Sequence, residues 1–235
     1  MTEKIDKLFD EWEQLSIDAA TAAEFHKADR FYEDGIVCDE DFKKGRRVLF
    51  ILLESHSGKK DVKGRQKFWF RDCVMYPDEF PTGWRGRRYF TRTLLMKQII
   101  EDTEPEEQYY NDGSKRLPQK AFAPLREVAY MNINKAGGKG SSTPWRALKK
   151  YVDKCQCMIK REIELIQPRY IVCCSVIVYR EICKLFGEDQ PCPIIKMWHP
   201  SQARLRGHGR ITDRKYAQEF QKRWKKQNED APTAN

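Results

Sequence analysis

The chain has 235 residues, 40% hydrophobic, 34% charged and 12% aromatic, with six Trp. That apolar content excludes an unfolded polyelectrolyte and is enough for a sizeable core, while no run of about 18 apolar residues exists to cross a membrane. The net charge of +9 is uneven: residues 1–41 hold 13 Asp/Glu against 4 Lys/Arg, the remainder 22 against 40, and a basic body of this kind suits a polyanion, nucleic acid first.

In chain order, Ile5, Leu8, Phe9, Trp12 and Leu15 recur at intervals of three and four, which predicts an amphipathic helix over residues 3–25. With its acidic face in solvent it makes residues 1–41 an acidic helical extension. Asp34-Gly35 marks a turn, and Lys43-Lys44-Gly45 leads into the stretch that organises the chain. There, six consecutive apolar residues from Val48 to Leu53 run straight into Glu54, Ser55 and His56. An apolar run without alternation predicts a strand buried on both faces, and ligands of open α/β sheets sit beyond the carboxyl ends of such strands. Glu54, Ser55 and His56 are therefore candidate site residues.

Residues 59–71 interleave Lys59, Lys60, Lys63, Arg65, Lys67 and Arg71 with Phe68, Trp69 and Phe70. Cations grip phosphates and aromatic faces stack on exposed bases. A Pro/Gly-rich loop over 77–88 precedes a helix through Leu94, Leu95 and Ile99. An exposed loop over 107–120 follows, with Asn111-Asp112-Gly113 as a turn.

Residues 128–134 read as a second strand, which ends in Asn132, Asn134 and Lys135 and feeds a glycine-rich loop over 136–142. Lys139 lies in that loop, where it can meet a phosphate, but Gly140 follows it and the G-x-x-x-x-G-K-[ST] spacing is absent. Thr143 and Pro144 open a helix that stops before Pro168. Residues 170–174 form a third strand, Ser175 caps the next helix and Gly187 closes it. Residues 194–198 form the fourth strand, which ends in His199-Pro200-Ser201. A last helix puts Tyr216, Phe220 and Trp224 on one face, and residues 227–235 form a flexible tail.

The alternation predicts one α/β domain over residues 1–235, a three-layer αβα sandwich around a mostly parallel four-stranded sheet. Among the eight cysteines, Cys155 and Cys157 diverge on a helix and Cys173 and Cys174 diverge on a strand. No metal site is expected, and reduced thiols fit a cytoplasmic protein, as does an N-terminus without a signal-peptide pattern.

In a parallel sheet, Glu54/Ser55/His56, Asn132/Asn134/Lys135 and His199/Pro200/Ser201 share one edge. A carboxylate, an amide and an imidazole there can read a base and do acid–base or electrostatic work.

These motifs resemble the uracil-DNA glycosylase superfamily, nearest to its iron–sulfur-type branch. Leu53-Glu54-Ser55-His56-Ser57 is similar to that branch's Gly-Glu-Ala-Pro-Gly, and Gly64-Arg-Gln-Lys-Phe68-Trp-Phe70 to its Gly-x-Pro-Phe-Val. Met131-Asn-Ile-Asn-Lys-Ala136 resembles Thr-Asn-Val-Val-Lys-Cys. Glu162-Ile-Glu-Leu-Ile-Gln-Pro168-Arg-Tyr-Ile-Val172 follows the family's Glu-Ile-x-x-Ile-x-Pro-x-x-Ile-Val, and His199-Pro200-Ser201 is its second signature. The likeness spans residues 46–205 in order.

The resemblance implies a DNA glycosylase that flips a base out of the stack and hydrolyses its N-glycosidic bond. Glu54 and His199 would be catalytic. Ser55, His56, Phe68, Trp69, Phe70, Asn132 and Asn134 would bind the base, and Lys135, Lys139, Ser201, Arg204, Leu205 and Arg206 the DNA. A monomer without cofactor is expected, since Ala136 stands where a cluster-ligating cysteine would be and no Cys-x-x-Cys precedes the domain. His56 and Ser57 replace the motif's proline and second glycine, and Gln202-Ala-Arg204-Leu205-Arg206 is longer and more basic than the family's wedge. These departures point to a uracil-like or modified base, such as modified cytosine in phage DNA, and to antiviral defence. The rival expectation is a catalytically silent nucleic-acid-binding protein on the same fold, which would need neither Glu54 nor His199.

Overall fold

The computed structural model describes residues 2–25, 28–55, 64–67, 69–79, 88–110, 112, 117–137, 144–205 and 209–229. The first half holds α1 (Thr2–Ala22), β1 (Arg30–Tyr32), β2 (Gly35–Ile36), α2 (Asp39–Lys44), β3 (Val48–Ser55), β4 (Gly64–Gln66), α3 (Trp69–Met75) and α4 (Arg88–Ile100). A 3-10 stretch, Gln119–Glu127, leads to β5 (Val128–Gly137), α5 (Trp145–Ile166), β6 (Tyr170–Cys173), α6 (Val176–Phe186), β7 (Ile194–Lys196), β8 (Arg204–Leu205), β9 (Gly209–Arg210) and α7 (Asp213–Glu229).

The four strands expected from the sequence are β3, β5, β6 and β7, and they run parallel. The sheet nevertheless has five strands, in the order β2-β5-β3-β6-β7, because β2 pairs antiparallel with the edge of β5. It is mixed where four mostly parallel strands were expected. Two paired residues, Gly35 and Ile36, are too few to show an alternation. A separate parallel pair joins β1 to β4, and β8 and β9 form a short antiparallel hairpin.

Helices cover both faces. Leu49 and Ile51 point into a cluster with residues of α1, α5 and α6, whereas Val48, Phe50 and Leu52 point into one with α3, α4 and α7. An unbroken apolar run meets this demand, because successive side chains leave a strand on opposite sides. The spacing of α1 puts Ile5, Phe9 and Trp12 into the first cluster, so this helix is a wall of the core despite the acidic bias around it. The same alternation separates Cys173 from Cys174, while helical geometry buries Cys155 and exposes Cys157.

The helix boundaries follow local chemistry. Ser175 Oγ accepts from the Ile177 amide at 3.2 Å and caps α6, which Gly187 ends at φ 58°. Gln167 closes α5 in the left-handed region directly before Pro168. Among the described residues, no helix is long and apolar enough to cross a membrane.

Candidate active site

Toward their carboxyl ends, β3 and β5 exchange apolar for polar residues on one face. Val48, Phe50 and Leu52 give way to Glu54, and Val128 and Tyr130 to Asn132 and Asn134, with Leu52 paired to Asn132 and Glu54 to Asn134. Glu54, Asn132 and Asn134 are all buried, at 4%, 2% and 0% exposure. The Ala136 amide donates to Asn134 Oδ1 at 2.9 Å, which turns the Asn134 Nδ2 toward Glu54, where it donates to Oε2 at 3.3 Å. Asn132 donates its backbone N–H to Asp34 Oδ2 at 2.6 Å, but its side-chain Oδ1 is buried with no hydrogen-bond partner among the described residues.

His199 reaches the same edge from β7. Only β6 separates β7 from β3, so the two backbones end roughly 10 Å apart, at two strand spacings. The imidazole ring is half-buried, 6.4 Å from the Tyr89 ring, and Tyr89 lies 5.8 Å from Tyr130 on β5. Burial pushes the Tyr89 and Tyr130 hydroxyls above the ordinary phenol range, so both stay neutral. The Ser201 amide donates to His199 Nδ1 at 3.1 Å. A ring nitrogen that accepts from an N–H carries no proton, so neutral His199 presents Nε2–H as its donor.

The turn around His199 is held from α4 and α7. Arg92, fully buried, donates to the carbonyls of Pro200, Gln202 and Ile211 at 3.2, 2.6 and 2.7 Å and to Asp213 Oδ1 at 2.8 Å. Tyr216 donates to the Trp198 carbonyl at 2.5 Å.

Two expected site residues face elsewhere. Lys135 was expected on the DNA surface, yet it is fully buried on the opposite face of the sheet. There its ammonium binds Asp34 Oδ1 and Glu162 and lies 4.9 Å from the Trp12 ring. Strand alternation sends Lys135 away from Asn134, and the two carboxylates hold it inside. Phe70 was expected to stack on a base, but both its faces are taken, by Tyr130 at 4.9 Å and Phe90 at 5.4 Å. Trp69, beside it, is half-buried against the same aromatic cluster.

Glu162 gives the interior a pH dependence. Burial first, and the Asp34 carboxylate second, push its carboxyl well above the ordinary range, against the pull of Lys135. The folded state thus holds this proton more tightly than the unfolded chain. The resulting stability is fully present below the ordinary carboxylate range and is lost as pH rises toward the folded value. Glu162→Gln removes the titration, so its unfolding free energy should gain on wild type as pH rises above that range. Parallel pH profiles for the two proteins would contradict this.

Ser201 and Arg204 are exposed near His199. Ser55 ends β3 and Leu205 lies in β8, but their side chains, like His56, Phe68, Lys139 and Arg206, lie outside the described residues. The sequence reading missed Tyr89, Tyr130, Arg92, Asp213 and Tyr216. Only Tyr130 carried a local signal, two residues before Asn132 on one strand and hence on the same face.

A cavity of about 600 Å³, lined by Ile99, Asp102, Glu104, Trp224 and Lys225, lies away from this chemistry. Asp102 pairs with Arg46 at 2.7 Å, just before β3, which places the cavity at the amino-terminal edge of the sheet.

Comparisons with protein-family models, curated proteins and solved structures return no match, so any reading of the site rests on its own chemistry.

Proposed function

We propose that the chain is a DNA glycosylase of the uracil-DNA glycosylase type. The observation that carries this reading is the buried Asn132 Oδ1, without a hydrogen-bond partner among the described residues, beside the Glu54–Asn134 pair and on the sheet edge that His199 shares. Leaving a buried acceptor unpaired costs about 1–3 kcal/mol, which a ligand N–H would recover. The imide N–H of uracil and the exocyclic amine of cytosine both supply one.

In the proposed reaction the base of a flipped-out nucleotide leaves with the electron pair of its N-glycosidic bond. His199 Nε2–H donates toward the oxygen on which negative charge develops, and Glu54 faces the oxocarbenium-like sugar. Water adds at C1′ and loses its proton to Glu54, giving an abasic site and the free base. His199 supplies a neutral donor, which suits a base that departs as an anion.

The substrate proposed is a uracil-like or modified base, with hydroxymethylated or glycosylated cytosine of viral DNA favoured. Ser55, His56 and Ser57 offer polar groups where the resembled motif has a rigid proline, which supports a roomier, more hydrophilic pocket. A monomeric cytoplasmic enzyme of this specificity would act in defence against phage with modified DNA.

The test is abasic-site formation on uracil-containing DNA and on phage DNA with and without modified cytosines. Release from modified phage DNA supports the full proposal. Release from uracil DNA alone restores plain repair, and no release from any DNA removes the glycosylase reading. Leu205 is the proposed wedge that fills the gap left by the flipped nucleotide. Leu205→Ala should therefore lower activity more on duplex DNA than on single strands, and equal losses would count against that role.

A further inference from the structure

We propose that Arg92, with Tyr216 and Asp213, is the positioning device of His199, holding its turn and the base of the β8–β9 hairpin as one unit. In its catalytic consequence this rests on the glycosylase reading. In its structural content it does not.

The acceptors that Arg92 and Tyr216 collect are not scattered. Tyr216 takes the carbonyl of Trp198 and Arg92 that of Pro200, so the carbonyls of the two residues on either side of His199 are both held. Arg92 also takes the carbonyls of Gln202 and Ile211, which bracket the hairpin, and the Ile211 amide closes its base on the Ala203 carbonyl at 2.9 Å. Asp213 balances the guanidinium with one oxygen and accepts the Asp112 amide with the other, at 2.5 Å. The guanidinium lies 4.7 Å from the Tyr216 ring, so one cation orders both clamps.

Only arginine can do this, because its planar fork directs five donors at fixed angles, while a lysine ammonium is a point with three. A buried ion pair is weak evidence for stability, since apolar residues of equal volume often serve as well. What apolar residues cannot supply is the placement of the three carbonyls that Arg92 gathers. Placement matters at His199 because the Ser201 N–H to Nδ1 bond survives only while the turn keeps its shape, and that bond decides which nitrogen carries the proton. The hairpin carries exposed Arg204 and Arg210, so in the glycosylase reading the unit that would meet DNA also aims the imidazole.

The test uses Tyr216→Phe, which keeps the ring over Arg92 and loses the hydroxyl with its bond to the Trp198 carbonyl and its weak contact with Met96 Sδ. On the full chain, kcat for base release should fall by about 10- to 100-fold with KM for DNA within about 2-fold, the signature of a misplaced group. The imidazole ¹⁵N signals of His199 should change from a single Nε2–H tautomer to a mixture. Arg92→Lys should move both readouts further in the same direction, and if it does not fold, Tyr216→Phe decides. Unchanged imidazole signals in Tyr216→Phe would overturn the proposal, even if kcat fell. Shifted signals in a protein that releases no base from any DNA would uphold the clamp and reject the glycosylase reading.

Discussion

Lys135→Met is expected to lower the unfolding free energy by about 3–5 kcal/mol, the cost of leaving a buried charge without its partner. The ammonium lies on Asp34 Oδ1 and 2.8 Å from Glu162 Oε2, among side chains at most 1% exposed. It is also 5.1 Å from the Phe9 ring. Glu162 can take a proton, as its raised pKa shows, and the burden therefore falls on Asp34. Asp34 also accepts the Asn132 amide, so the loss should loosen the end of β5 as well. Urea unfolding at neutral pH measures the effect. Replacing Lys135, Asp34 and Glu162 together by apolar residues should restore most of the loss, because no charge is then stranded. A Lys135→Met midpoint equal to wild type would show that the triad carries no such strain.

The second large effect concerns rate. Glu54→Gln and His199→Ala should each slow base release by on the order of 100-fold or more, as expected when a preorganised electrostatic group is removed. Glutamine keeps the size of Glu54 and an oxygen for the Asn134 amide, so folding should survive while the negative charge is lost. Alanine at position 199 removes the Nε2–H donor from a turn that Arg92 and Tyr216 still hold. Thermal unfolding and DNA affinity should stay near wild type in both. Wild-type rates in the two variants would take these residues out of the mechanism.

Much of the candidate site was legible because it lies where apolar strands stop. Glu54 stands near the carboxyl end of β3, Asn132 midway along β5, Asn134 further toward its carboxyl end and His199 just beyond β7, and parallel strands bring such ends to one edge. Lys135 misled because a cation beside a glycine-rich loop reads as a surface group. Its partners are 101 and 27 residues away, and nothing near it announces them. Phe70 misled because an aromatic among lysines resembles a stacking platform, whereas Tyr130 and Phe90 occupy both its faces. Arg92 gave no signal at all within a helix that is buried from Tyr89 to Ile100.

Local chemistry in the sequence determined α1, α4, α5, α6 and α7, the four parallel strands, the caps at Ser175 and Gly187, and which residues share a face. Each of these follows from the 3.6- and 2-residue periods and the conformational range of one or two residues. Tertiary structure alone decided the antiparallel fifth strand, the burial of Lys135 between two carboxylates and the four carbonyls gathered by Arg92 and Tyr216. Ion pairs and hydrogen bonds act over a few ångströms in space, and groups far apart in the chain come that close only when the whole sheet and both helical layers have assembled.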